Sequence, residues 1–440
     1  MKKWGFLFTE NMTTEQLYQL FEQHPKVSTD TRNIIPGSIF FALKGASFNG
    51  NLFAVEALKK GAVYAVVDEV PAEKDERIIP VDNSLVCLQQ LAAFHRKKLG
   101  IPVLAITGTN GKTTTKELVA TVLSAQYNLC FTQGNLNNHI GVPLTLLRMD
   151  VSTEMAVIEM GANHPGEIDA LCRIATPDFG LITNVGKAHL EGFGSFEGVV
   201  QTKTELYRFL KSKNGKCFVN ADDPILREQA GILEHIRYGQ SENNFLRGEL
   251  VPADYYMVAK ALFPKGWLYL KSKLIGSYNF DNILAAACIG HYFKVDPLLI
   301  QKAIENYSPS NNRSQLMETG NNEIIMDAYN ANPTSMMAAL QNFIMINHSE
   351  KALILGDMLE LGQESEPEHQ KIVDFVLEND FNQVFLVGTN FRKTTDGPKL
   401  KRFDKVELLT DFLIKHPLIN KLILIKGSRG ISLEKILGIL

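Results

Sequence analysis

A chain of 440 residues is too long for one ordinary hydrophobic core, so we expect about two to four domains. Hydrophobic residues make up 45% of the chain and charged residues 21%, as in soluble globular proteins. The net charge of −3 offers no basic surface for nucleic acid, and no run of about 18 apolar residues predicts insertion into a membrane.

The five cysteines are scattered and fit no metal-ligand spacing, which predicts mostly buried thiols in a reducing compartment. The N-terminal stretch MKKWGFLFTENMTT contains two lysines, but its apolar run is too short for a signal peptide. We therefore expect a cytoplasmic protein.

Short strand-like runs dominate the first part of the chain, residues 1–97. They include Ser38 to Leu43 and Ala62 to Val67, and a helical segment from Leu52 to Lys60 lies between them. Pro102 opens the next unit. We treat 1–97 as a first domain.

Buried strands alternate with helices through the second part of the chain, residues 98–309. The predicted strands are 103–107, 155–160, 179–185 and 216–220. This rhythm is typical of a parallel sheet with helices on both faces, here of the phosphate-loop type. The weaker pattern at 236–275 predicts an added antiparallel piece, and the polar run 308–312 predicts a linker.

The alternation restarts in the third part of the chain, residues 310–440. Its predicted strands are 323–327, 351–356, 383–387 and 421–426. The pattern predicts a second doubly wound, Rossmann-like domain. The overall expectation is a three-domain α/β protein.

The segment TGTNGKTTT, Thr107 to Thr115, follows a buried strand and resembles a phosphate-binding loop. The usual pattern places four residues between its two glycines, but here only two residues separate Gly108 from Gly111. Lys112 would reach the phosphates, and the Thr113 hydroxyl would bind Mg²⁺. A plain glycine turn before a helix is the alternative. The predicted nucleotide-binding residues here are Gly108, Thr109, Asn110, Gly111, Lys112, Thr113 and Thr114.

Two further side chains follow predicted strand ends. Glu159 ends the apolar run that begins at Met155, and His189 lies just beyond the strand at 179–185. In a parallel sheet the carboxyl ends of strands line the ligand crevice, so both are candidate Mg²⁺ ligands. A solvated acid and a structural histidine are the alternatives.

Lys203 falls within the apolar stripe of a helix predicted from Phe196 to Leu210. An ammonium there is costly unless it is paired or modified. It can extend along the apolar surface to reach water. Alternatively, CO₂ converts it to a carbamate that binds Mg²⁺. Spacing alone leaves both alternatives open.

Several longer stretches together resemble the Mur ligases, the ATP-dependent amide-forming enzymes of peptidoglycan precursor synthesis. These stretches are STDTRNIIPGSIFFALKGASFNG, TGTNGKTTTKE, GNLNNHIGVPLTLLRM, EMGANHPGEI, NVGKAHLEGFGS, GSYNFDNILAA, DAYNANPTSM, LGDMLELG and KGSRG. They cover all three predicted domains. The shortened phosphate loop is the form that this family uses.

The resemblance implies a role for each matching residue. It implies catalytic roles for Lys112, His189 and Lys203, with Lys203 carbamylated, and it favours the carbamate over the extended lysine. It implies two Mg²⁺ ions held by Thr113, Glu159, His189 and Lys203. The adenosine nucleotide would contact Asn282, Arg313 and Asp327. The uridine-nucleotide substrate would contact Ser28, Asp30, Thr31, Arg32, Asn137 and Asn138.

The resemblance also implies the reaction. The motifs match most closely the members that use ATP to join D-Ala-D-Ala to UDP-N-acetylmuramoyl-tripeptide. Lys426, Ser428 and Arg429 follow the last predicted strand and are candidates to face the dipeptide, or else form a solvated turn. We expect a monomer.

Three other functions compete with this one. A sibling ligase that adds diaminopimelate or lysine would carry an Asp-Asn-Pro-Arg-type motif, which the sequence lacks. A folylpolyglutamate synthase would lack the N-terminal domain. A non-catalytic nucleotide-binding regulator would have a degenerate site, whereas every predicted site residue is present. The third residue of the acceptor peptide, diaminopimelate or lysine, stays open.

Overall fold

A computed structural model describes residues 12–73, 75–231, 233–309 and 312–440. The N-terminal stretch through residue 11, and residues 310 and 311 of the predicted linker, lie outside this description. The predicted domain boundary at 309/310 therefore cannot be placed. In the described part of the chain, no helix combines the length and apolar character needed to cross a bilayer.

The described residues alternate between strands and helices for most of their length. The strands are β1 (Val27–Ser28), β2 (Ile39–Phe41), β3 (Lys44–Gly45), β4 (Phe48–Asn49), β5 (Tyr64–Val67), β6 (Ile78–Pro80), β7 (Val103–Thr107), β8 (Leu129–Phe131), β9 (Met155–Glu159), β10 (Phe179–Ile182), β11 (Lys216–Asn220), β12 (His235–Gly239), β13 (Leu246–Val251), β14 (Tyr256–Phe263), β15 (Gly266–Ile275), β16 (Gln315–Glu318), β17 (Glu323–Asp327), β18 (Lys351–Gly356), β19 (Gln383–Val387), β20 (Leu400–Phe403) and β21 (Leu422–Lys426). The helices are α1 (Thr14–Gln23), α2 (Ala54–Lys59), α3 (Ser84–Leu99), α4 (Lys112–Leu123), α5 (Gly141–Leu146), α6 (Glu167–Ala175), α7 (Leu190–Phe193), α8 (Phe196–Lys203), α9 (Glu205–Ser212), α10 (Pro224–Ala230), α11 (Phe280–Tyr292), α12 (Pro297–Asn306), α13 (Pro333–Met345), α14 (Ser365–Glu378) and α15 (Val406–Lys415).

The chain forms two compact units, and the first contains residues up to Ile106, Tyr127–Gly161 and Glu167–Phe179. Its N-terminal strands pair in the order β1-β2-β5-β6, all parallel. Strands β7, β9 and β8 are also parallel neighbours. Helix α3 packs against α1, α5 and α6, so it contacts helices from both the predicted first and second domains.

The second unit contains Thr107–Gln126, Ala162–Gly166 and Gly180–Leu440. Helix α4 packs against α11 and α12. Strands β11, β12 and β13 are parallel, whereas β13, β14 and β15 form an antiparallel meander. The predicted antiparallel addition is therefore confirmed.

The last part of the second unit is a six-stranded sheet in the order β16-β17-β21-β18-β19-β20, parallel except for β16. Alternate side chains of its strands pack into two hydrophobic clusters, one on each face of the sheet. Leu353 and Leu355 join one cluster, and Ala352 and Ile354 join the other. Both faces of this sheet are covered, and its central strands β18 and β21 are apolar from Ala352 to Gly356 and from Leu422 to Ile425. The predicted α/β fold class is confirmed.

The single helix predicted from Phe196 to Leu210 is wrong, because two helices, α8 and α9, meet at Thr204. The Thr204 hydroxyl donates to the carbonyl oxygen of Val200 at 2.8 Å and to that of Gln201 at 3.1 Å. This return bond within the helix competes with regular backbone geometry and bends helices. The apolar stripe survives the bend, because Val199, Leu206 and Leu210 are all buried.

Gly198 lies in the first turn of α8. Its replacement by alanine tests whether the steric cost of close packing exceeds the gain in helix propensity. Replacing an interior helical glycine with alanine ordinarily stabilises a helix by about 1 kcal/mol. A Cβ at Gly198, however, would lie 2.1 Å from the carbonyl oxygen of Phe193. We expect Gly198→Ala to lower the free energy of unfolding by about 1–3 kcal/mol, as measured by denaturant titration.

Gly320→Ala is the matched control, because a Cβ there meets nothing within 4 Å. We expect it to change stability by less than about 0.5 kcal/mol. A Gly198→Ala protein as stable as the original would contradict the packing argument.

Candidate active site

The predicted phosphate loop has the backbone geometry of an anion-binding turn. Strand β7 ends at Thr107, Gly108 and Gly111 have φ of +139° and +75°, and α4 begins at Lys112. A Cβ at Gly108 would lie 2.1 Å from the Thr183 hydroxyl oxygen, so this position requires glycine. The backbone N–H groups at the N-terminus of a helix such as α4 are suited to binding phosphate.

Hydrogen bonds to the segment after β10 fix the shape of the loop. Thr109 N donates to Asn184 O at 2.9 Å, and Gly186 N donates to the Thr109 hydroxyl at 3.0 Å. Asn110 N donates to Asn184 Oδ1 at 3.0 Å. From the C-terminal sheet region, Asn332 Nδ2 donates to Asn110 Oδ1 at 2.7 Å. The side chain of Asn110 is thus engaged within the protein.

The loop lysine lies against the loop itself. Lys112 Nζ donates to the carbonyl oxygens of Gly108 at 2.8 Å and Thr109 at 2.9 Å. Thr113 and Thr114, in the first turn of α4, are buried. The ammonium is therefore within the loop that would receive the phosphates.

Asn282 supports this loop from α11. Its Oδ1 accepts a hydrogen bond from the Thr115 hydroxyl at 3.0 Å, and its Nδ2 donates to Asn279 Oδ1 at 2.8 Å. A Cβ at Gly111 would lie 2.6 Å from Asn282 Oδ1. The structure thus gives Asn282 a supporting role in the loop, and its contact with adenine stays a prediction.

Glu159 is almost fully buried, with 1% exposure, at the end of β9 in the first unit. Its Oε1 accepts a hydrogen bond from Asn137 Nδ2 at 2.8 Å. Asn138 Oδ1 accepts from Gly141 N at 2.9 Å, at the start of α5. Both asparagines predicted to contact substrate therefore already bond within the protein, and their substrate contacts stay predictions.

His189 lies near two of the predicted catalytic lysines. Its Nδ1 contacts the carboxylate of Glu360. Burial lowers the pKa of His189, the Glu360 carboxylate opposes that shift, and the charges of Lys112 and Lys203 add to it. The second unit thus brings Lys112, His189 and Lys203 within electrostatic range of one another.

Lys203 is buried, with 2% exposure, so the extended lysine that reaches water is wrong. Its Nζ donates to the carbonyl oxygen of Ala162 at 3.2 Å and lies 5.1 Å from the centre of the Phe193 ring. Burying an ammonium is costly. The cost agrees with a modified lysine, and the carbamate itself stays a prediction.

The predicted metal ligands are chemically suited to Mg²⁺ only if Lys203 is carbamylated. A threonine hydroxyl and a glutamate carboxylate are oxygen donors of the kind that Mg²⁺ prefers, and an imidazole can join them. An ammonium cannot bind a cation, so Lys203 fits only as a carbamate. Among the described residues, no group of three or more His, Cys, Asp or Glu side chains is arranged to hold a metal.

Asp30 and Arg32, two of the predicted uridine-side residues of the first unit, bond to each other. Asp30 accepts three side-chain hydrogen bonds from Arg32, which lower the pKa of Asp30 to about 2. Arg32 is 85% exposed. Ser28 is buried, and its hydroxyl lies 3.0 Å from the Ser38 hydroxyl. Thr31 adjoins the Asp30–Arg32 pair, and all four substrate contacts stay predictions.

The C-terminal sheet pairs two predicted ligand-binding residues with each other. Asp327 and Lys426 are opposite one another in register on β17 and β21, and Lys426 Nζ lies 2.5 Å from Asp327 Oδ2. The guanidinium carbons of Arg313 and Arg429 lie 3.6 Å and 5.5 Å from the centre of the Tyr329 ring. The sequence analysis did not single out Tyr329, although it lies within the DAYNANPTSM motif.

Ser428 is turned toward the backbone. Its hydroxyl accepts a hydrogen bond from Leu359 N at 3.0 Å and donates to Ala331 O at 3.3 Å. This buried arrangement gives Ser428 a structural role, and its predicted dipeptide contact is not tested.

Two further carboxylates were missed at the sequence level. Asp357 accepts hydrogen bonds from the backbone N–H groups of Asn390 and Phe391, both at 2.9 Å. Glu360 contacts His189. Both carboxylates belong to the LGDMLELG stretch, whose family resemblance could have identified them as candidate site residues.

Asp281, next to Asn282, gives a pH-dependent prediction. Burial and the nearby charges of Asp222 and Asp223 raise its pKa from 3.8 to about 6, against a hydrogen bond from Asn220. The folded protein therefore holds a proton that the unfolded chain has lost, and this contribution to stability falls as pH rises from about 4 to about 6.

We expect Asp281→Asn to match the original protein at pH 4 and to gain about 2–3 kcal/mol of relative stability by pH 7. Denaturant titrations at several pH values measure this difference. A difference that does not vary with pH would contradict the assignment.

Comparison with known proteins matches three successive parts of the chain to models of one family. The model of the Mur ligase family catalytic domain matches residues 26–96, that of the Mur ligase middle domain matches residues 106–290, and that of the Mur ligase glutamate ligase domain matches residues 312–429.

The relatives match nearly from end to end. A UDP-N-acetylmuramoyl-tripeptide–D-alanyl-D-alanine ligase from Bacillus subtilis is 36% identical over 93% of this chain and 92% of its own length. A crystal structure of MurF from Acinetobacter baumannii is 30% identical with a TM-score of 0.85, covering 98% of both chains. A MurF ligase from Thermotoga maritima, solved with ADP, is 26% identical with a TM-score of 0.82, covering 94% of this chain and 96% of its own. The chain therefore belongs to the Mur ligase family.

Proposed function

We propose that this chain uses ATP to join D-Ala-D-Ala to UDP-N-acetylmuramoyl-tripeptide. The observation that carries the proposal is the grouping of the phosphate loop, Lys112, His189 and the buried Lys203 in one unit of the chain. The near full-length similarity to a ligase with this printed activity supports the choice of substrates.

The reaction needs an activated carboxyl group, because a carboxylate does not form an amide with an amine in neutral water. A carboxylate oxygen of the tripeptide attacks the γ-phosphorus of ATP, the bond to the β–γ bridging oxygen breaks, and ADP leaves. The dipeptide amine then attacks the acyl carbon, the bond to the phosphate oxygen breaks, and phosphate leaves. The proton of the amine passes to solvent.

The side chains of this protein bind and orient the reactants, and none needs to act as a nucleophile. The N–H groups at the start of α4 and the ammonium of Lys112 bind the phosphates and oppose the repulsion between two anionic reactants. When bound by Thr113, Glu159, His189 and carbamylated Lys203, Mg²⁺ supplies further neutralisation of the phosphate charge. Catalysis is then mainly positioning and electrostatics.

Three domains suit three ligands. We assign the uridine nucleotide to residues 1–97, ATP to residues 98–309 and the dipeptide to residues 310–440. Arg313 and Asp327 would contact the adenosine nucleotide, and Lys426, Ser428 and Arg429 the dipeptide. We further propose two Mg²⁺ ions, a cytoplasmic location and a monomer.

A phosphate-release assay tests the choice of donor. The enzyme, ATP and UDP-N-acetylmuramoyl-tripeptide are mixed with D-Ala-D-Ala, L-lysine or diaminopimelate in parallel. Because the motifs match the dipeptide-adding members, we expect release to require D-Ala-D-Ala. Equal or faster release with a single amino acid would show that the sibling activity is the correct one.

Lys112→Ala is the control variant for this assay. Loss of the ammonium beside the phosphates should lower turnover by about a hundredfold or more while the protein stays folded. Near-normal turnover would remove the loop from the proposed site.

Lys203→Ala tests the carbamate. The variant loses a proposed metal ligand, so turnover should fall by about a hundredfold or more. A short carboxylic acid added to the variant should occupy the vacated space and restore part of the rate. Lys211→Ala, which alters an exposed lysine on the following helix, should keep its activity.

NMR under isotopically labelled CO₂ gives a second readout. A carbamate signal should appear in the original protein and be missing from Lys203→Ala. Full activity of Lys203→Ala, together with no carbamate signal in the original protein, would contradict the prediction.

A further inference from the structure

Two short segments of the second unit contact each other beside the proposed metal ligand His189. They are residues 189–191, which follow β10, and residues 360–362, which follow β18. The Glu360 carboxylate contacts His189 Nδ1, and Glu191 N lies 3.4 Å from Glu360 O. A Cβ at Gly362 would lie 3.4 Å from the Cβ of Glu191. Glu360 is therefore held against His189 by backbone packing as well as by the side-chain contact.

Both partners have an uncommon backbone conformation. His189 has φ of +50° and Glu360 has φ of +63°, in the left-handed region that residues other than glycine seldom adopt. Such conformations cost free energy and concentrate at functional sites. The two residues with this backbone conformation are the same two residues whose side chains contact each other.

A metal-binding histidine usually gives its second ring nitrogen to a carboxylate or a carbonyl oxygen. That bond fixes which nitrogen carries the proton and holds the ring in one orientation. A proton on Nδ1, facing the Glu360 carboxylate, would leave Nε2 as the nitrogen that can bind a metal.

We propose that Glu360 is the positioning residue for His189: its carboxylate fixes the imidazole so that Nε2 binds the metal ion. The inference rests on the proposed function, since that function assigns His189 to a metal. Because Glu360 belongs to residues 310–440 and His189 to residues 98–309, the C-terminal part of the chain then completes a site in the central part.

A simple surface ion pair is the competing explanation. Glu360 is 55% exposed, and exposed ion pairs contribute little to stability. A second ion pair in the same contact region offers a comparison, because Lys187 Nζ lies 2.8 Å from Glu368 Oε1; Glu368 is only 6% exposed and is also paired with Lys371. That pair joins the same two parts of the chain but does not involve His189. Glu368→Gln is therefore a matched control for Glu360→Gln.

The test measures Mn²⁺ binding to the full-length protein by electron paramagnetic resonance, with a non-hydrolysable ATP analogue present. We expect Glu360→Gln to weaken one class of bound Mn²⁺ by about 10–100-fold, because a neutral amide oxygen accepts the Nδ1–H hydrogen bond more weakly than a carboxylate and the amide N–H₂ can favour the other tautomer. Glu360→Asp should retain part of the affinity, and Glu368→Gln should bind Mn²⁺ as the original protein does. Thermal unfolding of each variant checks that it is folded.

Unchanged or tighter Mn²⁺ binding in Glu360→Gln would overturn the inference. An equal loss in Glu360→Gln and Glu368→Gln would also overturn it, because the effect would then come from general loosening of the contact. Failure of the original protein to ligate D-Ala-D-Ala would instead refute the proposed function, and the Mn²⁺ comparison between variants would still be measurable.

Discussion

The close approach of backbone and side chains at the phosphate loop is the constraint on which the rest of the candidate site depends. Gly108 lies against Thr183, and Gly111 lies against Asn282, so neither position has room for a Cβ. The loop connects β7 to α4, and hydrogen bonds attach it to the segment that leads to His189. A side chain at either glycine would therefore displace the N-terminus of α4 and disturb the loop's hydrogen bonds to the segment that leads to His189.

The charges of the site are arranged in compensating groups. Lys203 is buried beside a carbonyl oxygen and an aromatic ring, and Lys426 is buried beside the Asp327 carboxylate. His189 faces one carboxylate, from Glu360, and lies within range of two lysine cations. A bound metal and a polyphosphate would add both positive and negative charge to this balance, which makes electrostatic positioning the natural source of catalysis.

The C-terminal sheet changes how its predicted binding residues are understood. Arg313 was assigned to the adenosine nucleotide and Arg429 to the dipeptide, yet both guanidinium groups lie over the Tyr329 ring. Cation–π contacts of this kind orient a guanidinium without consuming its hydrogen bonds. Tyr329 is thus a shared support for two groups that were assigned separately.

The α/β class, most strand positions, the phosphate loop and the family could be predicted from the amino-acid sequence alone. These features have local sequence signals: runs of apolar residues, glycines before a lysine, and long motifs. Each of these signals can be recognised without knowing which distant residues it contacts. The folded structure was needed to show that Lys203 is buried, that α8 ends at Lys203 just before Thr204, and that Glu360 contacts His189. Lys203 could equally have extended to water on an exposed stripe, and the Glu360 contact joins residues far apart in sequence. Burial and such long-range pairs depend on which surfaces the folded chain brings together, and no local pattern encodes that.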